Sequence, residues 1–319
     1  MAIETTPTLG TSVGSLVATT LANYRKEMAD NIFTAIPVLA YMLGKNRMTE
    51  DGGATIVVPV MYAKSTTAKS YAGDDIIDTT IQDPFLPAQY QWRFYASPVS
   101  VLGTVAEVKN QGQSAVINYV KALIQHAESS IKDKLNLDLY AAAVGASAIN
   151  SLATLIDSSG TVGEINGSTQ SWWQSTEVAS GSFAARGLSD LRNIYTTSSQ
   201  RNPQGVPDLI ASDGTSYQAY EATLVPTVRY NDVKMGDLGF ETLKYHSATW
   251  VHDANATSGV IYVMHTPSLN LVTHSKRNFK IGDFVESITQ DVKVAKVLWA
   301  GELVTSNRRK HGKMTGVTA

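Results

Sequence analysis

The stretch SAVINYVKALIQHAESSIKDKLNLDLYAAAV, residues 114–144, runs its whole length without a proline or a glycine. Val116, Tyr119, Val120, Leu123, Ile124, Ala127, Ile131, Leu135, Leu139 and Ala142 keep to helical spacings of three and four and form one apolar stripe. At 1.5 Å per residue the spacing predicts a rod of roughly 45 Å over 114–144, longer than most globular domains need. Gln125, Glu128, Lys132 and Asp138 lie off the stripe and are expected to face solvent or a neighbour.

Upstream of this helix, EDGGATIVVPV (50–60) turns at Gly52-Gly53 and enters a strand over 54–62. The next residues, 65–83, are polar. QYQWRFYASPVSV (89–101) is aromatic and β-branched and reads as the returning strand. Together they predict a long hairpin with a loose tip. A single domain gains little by carrying a strand pair beyond its own core, so the hairpin implies a surface to lean on. Before it, Leu21, Tyr24, Met28, Ile32, Ile36, Leu39 and Leu43 predict one or two short helices, interrupted at Pro37. The first twenty residues, rich in Thr, Ser and Gly, read as an arm that is mobile unless a partner pins it.

Downstream, Leu188, Leu191, Ile194 and Tyr195 predict a shorter helix, and RNPQGVP (201–207) is a turn cluster that marks the best internal boundary. DLIAS (208–212) reads as a buried strand and DGTSYQAYEATL (213–224) as a helix. GFETLKYHSATWVHD and GVIYVMHTPSLNLVTH add strands, and together these segments make a compact α/β unit. DVKVAKVLWAGELV (291–304) is the longest strand candidate. No internal repeat or low-complexity tract appears.

Composition narrows the function. Charged residues are 17% of the chain, below the roughly 25% of ordinary soluble domains, which suits a surface spent largely on contacts. With 26 Lys and Arg against 28 Asp and Glu, the net charge of -2 supplies no basic field for sequence-specific DNA binding. The absence of cysteine removes disulfides, thiolate metal sites and thiol catalysis. No basic and apolar leader opens the sequence and no run approaches the ~18 apolar residues of a membrane span, so an unexported chain without a membrane partner is expected.

No motif for chemistry survives its context. Gly10-Thr11-Ser12-Val13-Gly14 spells a nucleophile elbow, which requires a strand before the serine and a helix after it, and the arm offers neither. Of the six histidines, His126, His246, His252, His265, His274 and His311, no two have the i, i+4 spacing of a zinc helix. His246 and His252 flank a strand turn and could approach each other. Asp74, Asp75 and Asp78 gather oxygens in the hairpin tip without the ligand spacing of an EF-hand. HGKMTG (311–316) lacks the upstream glycine of a phosphate loop and has Met314 where Ser or Thr must follow the lysine. Arg308, Arg309, Lys310 and His311 read as a solvated basic terminus. Catalytic residues, cofactors and metals are therefore expected to be none.

The order of parts carries more information than any motif: polar arm, hairpin, very long helix, short helix, inserted α/β unit, terminal long strand. With DNIFTAIPVLAYMLGKN (30–46), GGATIVVPVMYAKSTTAKSYAGDD (52–75) and INSLATLIDSSGTVGEINGSTQSWWQS (149–175), that order resembles the major capsid proteins of tailed bacteriophages. The resemblance implies an α+β chain of the Hong Kong 97-like coat fold. Residues 1–45 become the N-terminal arm and 46–102 the extended loop. Residues 103–202 become the peripheral domain, with its spine helix over 114–144. Residues 203–272 become the axial α/β domain, and 273–319 the return to the peripheral domain.

The function implied is a shell subunit, not an enzyme. Copies assemble through hexamers and pentamers into an icosahedral head around double-stranded DNA, inside the host bacterial cytoplasm, and end in the virion. Lys64, Lys69, Tyr71, Asp74, Asp75 and Asp78 in the loop, and Tyr24, Arg25 and Lys26 in the arm, become candidate contacts between subunits. The chain lacks the extra N-terminal segment that serves many relatives as internal scaffold. A separate scaffolding protein is therefore implied, with a portal, decoration proteins and non-specifically contacted DNA as further partners. Lys64 and Lys69 also stand where some relatives cross-link, without an acidic partner to catalyse it. The readings that compete are an encapsulin-like compartment, a tail or adhesin protein, and a hydrolase using Ser12.

Overall fold

The structure, a computed structural model, describes residues 36–45, 47–103, 113–201, 205–224, 243–286 and 290–318, and for 113–119 the backbone alone. The candidate contacts Tyr24, Arg25 and Lys26, the Ser12 motif and the helices expected before Ile36 lie outside the described residues.

In chain order the elements are α1 (Pro37–Lys45), β1 (Arg47–Glu50), β2 (Ile56–Met61), β3 (Phe85–Tyr90), β4 (Arg93–Leu102) and α2 (Gln113–Leu139). There follow α3 (Leu152–Leu155), β5 (Thr161–Val162), β6 (Ile165–Asn166), β7 (Thr176–Ala179), α4 (Leu188–Gln200), β8 (Leu209–Ser212) and α5 (Gly214–Thr223). The last are β9 (Leu243–Tyr245), β10 (Ala248–His252), β11 (Ile261–Met264), β12 (Leu269–His274), β13 (Lys280–Ile281), β14 (Val285–Glu286), β15 (Val292–Thr305) and β16 (Gly312–Thr315). The chain divides into two compact units, the described part of one being 95–103, 113–134, 276–286 and 290–299, and that of the other 36–45, 47–94, 135–201, 205–224, 243–275 and 300–318.

In the smaller unit, β15 collects partners along its length. β13 pairs antiparallel with it at Lys280↔Leu298, β14 at Val285↔Val294, and β4 also joins it. Val99, Val101, Ala295, Val297 and Trp299 are buried, with Tyr95 edge-on to Trp299 at 5.5 Å. On α2 the expected stripe holds at Ala127 and Ile131, buried while Gln125 is exposed, whereas Ala142 is exposed beyond the helix end and the side chains of Val116 and Tyr119 lie outside the described residues. Lys132, expected to face solvent or a neighbour, lies half-buried with its ammonium 5.4 Å from the centre of the Phe279 ring.

The larger unit is built on a mixed six-stranded sheet of order β7-β16-β11-β8-β10-β9. The registers Trp250↔Ile210 and Val263↔Ile210, with Ile261↔Met314, place Ile210, Trp250, Ile261, Val263 and Met314 on one face. Leu191 and Ile194 of α4 and Tyr217 and Tyr220 of α5 complete that core, and Tyr220 stacks on Trp250 at 4.3 Å. β16 corrects the sequence reading of the C-terminus. It lies inside the sheet, antiparallel to β11 and parallel to β7, and Arg308, Lys310, His311 and Lys313 around it are buried. Basic composition suggested solvent, but the chain pairs Arg308 with backbone carbonyls and Lys313 with Asp157 and Glu177.

α2 ends at Leu139, short of the expected 144, because its last turn is capped from outside. Ala141 N–H bonds back to Asp138 O over three residues, and the Thr257 hydroxyl donates to Tyr140 O at 2.9 Å. Here Asp138, expected to face solvent or a neighbour, is only 7% exposed. The returning strand is also divided. β2 pairs with β3 in the register Ile56↔Tyr90 to Met61↔Phe85, whereas β4, which includes most of the segment expected to close the hairpin, belongs with β15. Gln91 and Trp92 separate the two, with Trp92 Nε1 donating to Gly53 O at 3.0 Å. β1, which the sequence did not suggest, runs parallel to β12 from Arg47↔Leu271 to Glu50↔His274.

Candidate assembly surface

The ribbon β2–β3 is fixed at its root and bare beyond it. Ile56, Val60, Ala88 and Tyr90 share one face and are buried. Tyr90 OH donates to Thr305 O at 2.9 Å, and burial pushes its phenol well above the usual range. Beside it the β5–β6 turn closes in through Gly163, whose carbonyl accepts the Gln89 N–H at 3.0 Å. Gly163 has φ 61°, and a Cβ there would lie 2.9 Å from Ala88 Cβ, so only glycine fits.

That turn rests on a buried arginine. Arg308, with no exposed surface, donates from Nε to Leu155 O at 2.9 Å and from Nη2 to Asp157 O at 2.9 Å and Ser159 O at 2.9 Å. Longer bonds reach Thr154 O and Gly160 O. One planar cation thus satisfies five carbonyls between the end of α3 and the start of β5. Trp173 plugs the same region, its indole donating to Val162 O at 3.0 Å, while Trp172 stays half-buried 5.6 Å from the Tyr62 ring.

The opposite face of the ribbon carries Val57, Pro59, Met61, Phe85, Gln89 and Pro87 and no charge. Met61 is 66% exposed and Phe85 57%. In the tip, 62–84, Ile76 is 88% exposed and Ile81 96%, with Ile77 and Tyr71 also exposed. Apolar side chains left this bare over one continuous segment mark a contact site.

Lys64, Lys69, Tyr71, Asp74, Asp75 and Asp78 are all exposed in this tip. Asp75 and Asp78 work locally. Asp75 Oδ2 accepts the Ala72 N–H at 3.0 Å, and Asp78 Oδ1 accepts the Thr80 hydroxyl at 2.6 Å and its N–H at 3.0 Å. The Thr80 hydroxyl, then its N–H, hold the Asp78 carboxyl below its ordinary value. Gln82 ties the two sides together, donating to Thr66 Oγ1 at 2.7 Å and accepting from Thr66 N at 3.1 Å. Among the described residues no cluster of His, Cys, Asp and Glu could hold a metal ion. The residues missed were the apolar ones. Three isoleucines in a polar run are their signal in the sequence.

Other candidates resolve into packing. His246 stacks on Tyr195 at 5.1 Å while His252 lies against Tyr217 at 5.0 Å, so the two histidines serve different rings. One serine–histidine grouping was not foreseen: Ser268 Oγ lies 3.1 Å from His265 Nδ1 and 3.2 Å from His311 Nε2. It is sealed, since Ser268 is 2% exposed and His311 0%. His311 Nδ1 accepts the His265 N–H at 3.2 Å, which puts the ring proton on Nε2, facing Ser268 Oγ and Thr305 Oγ1. Burial pushes His311 down to about 3, so the ring is a neutral structural link.

No protein-family model matches the chain, and no curated protein matches it in sequence. Solved structures match its fold along nearly its whole length. A subunit of the cyanophage A-1(L) capsid asymmetric unit aligns with TM-score 0.67 at 15% identity, over 92% of this chain and 96% of that one. A chain of Mycobacterium phage Bobi aligns at 0.60 and 11% identity, over 96% and 98%. The holo-SrpI encapsulin complex of Synechococcus elongatus PCC 7942 aligns at 0.59 and 9% identity, over 95% of each. The chain therefore has the fold of phage capsid subunits, the α+β Hong Kong 97-like coat fold that its order of parts resembles.

Proposed function

We propose that this chain is the major capsid protein of a tailed phage, a structural subunit that self-assembles through hexamers and pentamers into an icosahedral head around double-stranded DNA. The observation that carries this reading is the hairpin. A fold of capsid type keeps its buried residues at the ribbon's root and leaves Met61, Phe85, Ile76 and Ile81 bare. Burying such residues on a neighbour supplies roughly 25 cal/mol for each Å² removed from water, repeated at every contact of a closed array. The net charge of -2 leaves little long-range repulsion to oppose closure.

In this reading residues 1–45 are the arm, 46–102 the extended loop and 103–202 the peripheral domain with α2 as spine. Residues 203–272 are the axial domain and 273–319 the return. Tyr24, Arg25 and Lys26, with Lys64, Lys69, Tyr71, Asp74, Asp75 and Asp78, are contacts between copies. The role is structural, without catalysis or cofactor. Assembly takes place in the host bacterial cytoplasm with a separate scaffolding protein and a portal, and decoration proteins and packaged DNA are met afterwards. Among the described residues no helix is long and apolar enough to cross a membrane.

Electron microscopy of the purified chain, alone and with its scaffolding protein, tests the proposal: closed icosahedral shells are expected, and a persistent monomer in both preparations overturns it. A second reading, an encapsulin-like compartment, is favoured by the SrpI match. Nuclease-protected DNA inside particles supports the capsid, and a co-purifying enzyme supports the compartment.

A further inference from the structure

Where α2 ends, the larger unit encloses a group of polar side chains that do not satisfy one another. Asn136 in the last turn of the helix, Tyr140 just beyond it and Asp253 at the end of β10 are each at most 3% exposed. Asn255, in the turn after β10, is half-buried. Three hydrogen bonds gather the group. Asn136 Nδ2 donates to Asp253 Oδ1 at 3.0 Å, the Asn255 N–H donates to the same oxygen at 3.0 Å, and the Thr257 hydroxyl holds Tyr140 O at 2.9 Å. The Tyr140 ring packs against that of Tyr262, and burial, then the Asp253 charge, raise its phenol well above the usual range.

Those bonds leave Asn136 Oδ1, Tyr140 OH, Asp253 Oδ2 and Asn255 Nδ2 buried and without a hydrogen-bond partner in the protein. They are four of the nine such side-chain atoms among the described residues, so they form a site and not a scatter of small defects. Neighbouring backbone is already engaged: the Asp253 N–H bonds Ser212 O, and the Ala256 N–H bonds Asp253 O. Turning the Asn136 amide over would set its oxygen against Asp253 Oδ1, so its orientation is fixed. The four atoms divide evenly by kind. Asn136 Oδ1 and the ionised Asp253 Oδ2 only accept, Asn255 Nδ2 only donates, and the Tyr140 hydroxyl has a proton to give. A water molecule is the complement of that set, giving two protons and taking two. A metal ion is not, because it would meet the Asn255 and Tyr140 protons and find a single carboxylate.

We infer that Asn136, Tyr140, Asp253 and Asn255 form a binding site for one internal water molecule, which joins the end of α2 to the turn after β10 through four hydrogen bonds. The site is independent of assembly, and a structure of the full chain at a resolution that shows ordered water tests it. One isolated density peak is expected, at about 2.7–3.2 Å from each of the four atoms. Side chains turned so that the four atoms pair with each other, with no peak between them, overturn the site. A peak with contacts near ~2.4 Å that grows when sodium is exchanged for rubidium makes the occupant a cation and overturns the water. Thermal melts give a second reading. The midpoint is expected to be the same in sodium, potassium and choline chloride at equal ionic strength, and a rise specific to one metal ion overturns water as the occupant.

Discussion

Arg308 shows what a single side chain does when its charge is spent on backbone. Its guanidinium reaches the carbonyls of Thr154, Leu155, Asp157, Ser159 and Gly160, and Gly167 must be glycine because a Cβ would lie 2.7 Å from Nη1. Replacing Arg308 with Met leaves these acceptors buried and unpaired, so a loss of about 3 kcal/mol or more is expected in urea unfolding. A loss under about 1 kcal/mol would show that the loop holds itself. Two other buried groups contribute to the pH response with opposite signs. His311, lowered to about 3 from 6.5, contributes stability that is complete above pH 6.5 and is lost as pH falls toward 3. Glu302 is raised to about 7 from 4.5 by burial, despite the N–H groups of Asn150 and Leu303 and the guanidinium of Arg93 at 3.3 Å. Its contribution is complete below pH 4.5 and is lost as pH rises through 7. Between pH 4.5 and 6.5 the two slopes, each at most about 1.4 kcal/mol per pH unit, oppose each other; below 4.5 only His311 still acts. Urea midpoints should therefore stay nearly level down to pH 4.5 and then fall. In Glu302→Gln the fall should begin near pH 6.5, and an unchanged profile would remove Glu302 from the balance.

At the scale of elements, the sequence declared what repeats and concealed what depends on distant partners. The stripe of α2 was legible because Ala127, Ile131, Leu135 and Leu139 face one way whatever covers them. Its end was not, since Thr257, far along the chain, caps Tyr140. Likewise QYQWRFYASPVSV reads as one strand by propensity, and only the competing partners β2 and β15 split it at Gln91 and Trp92. The hairpin's root depends on β5–β6, two strands of two residues each that no periodicity could announce. Gly163→Ala tests that dependence. A side chain at φ 61° costs about 1–3 kcal/mol of strain, and the Cβ must also displace Ala88 or Tyr90. Faster hydrogen exchange at Gln89 and along β2 is expected, with exchange in β8 and β10 unchanged. Uniform acceleration would mean that the root and the sheet open as one body.

At the scale of the molecule, the fold was legible from the order of its parts, and the bare apolar surface of the hairpin only in outline. The basic run at 308–313 looked like a tail because charge pattern carries no information on partners three-dimensionally close. In the fold Lys313 lies 3.3 Å from both Asp157 and Glu177, and β16 is an interior strand. The sequence reading singles out the tip for its charged residues, whereas its most exposed apolar side chains are the isoleucines Ile76 and Ile81. No buried apolar residue falls between Val60 and Ala88, so the tip contributes nothing to the subunit's own core. Folding and assembly should therefore separate cleanly here. Deleting residues 65–78 removes Ile76, Ile77 and Tyr71 and the Thr66–Gln82 tie, and leaves Ile56, Val60, Ala88 and Tyr90 in place. The deletant is expected to be soluble, with a melting temperature within a few degrees of the full chain, since surface changes away from the core alter stability by about 0.5 kcal/mol or less. Sedimentation should show it free of shells at concentrations where the full chain forms them. Normal assembly by the deletant would move the decisive contact away from the tip, and its unfolding would mean that the hairpin belongs to the subunit's core after all.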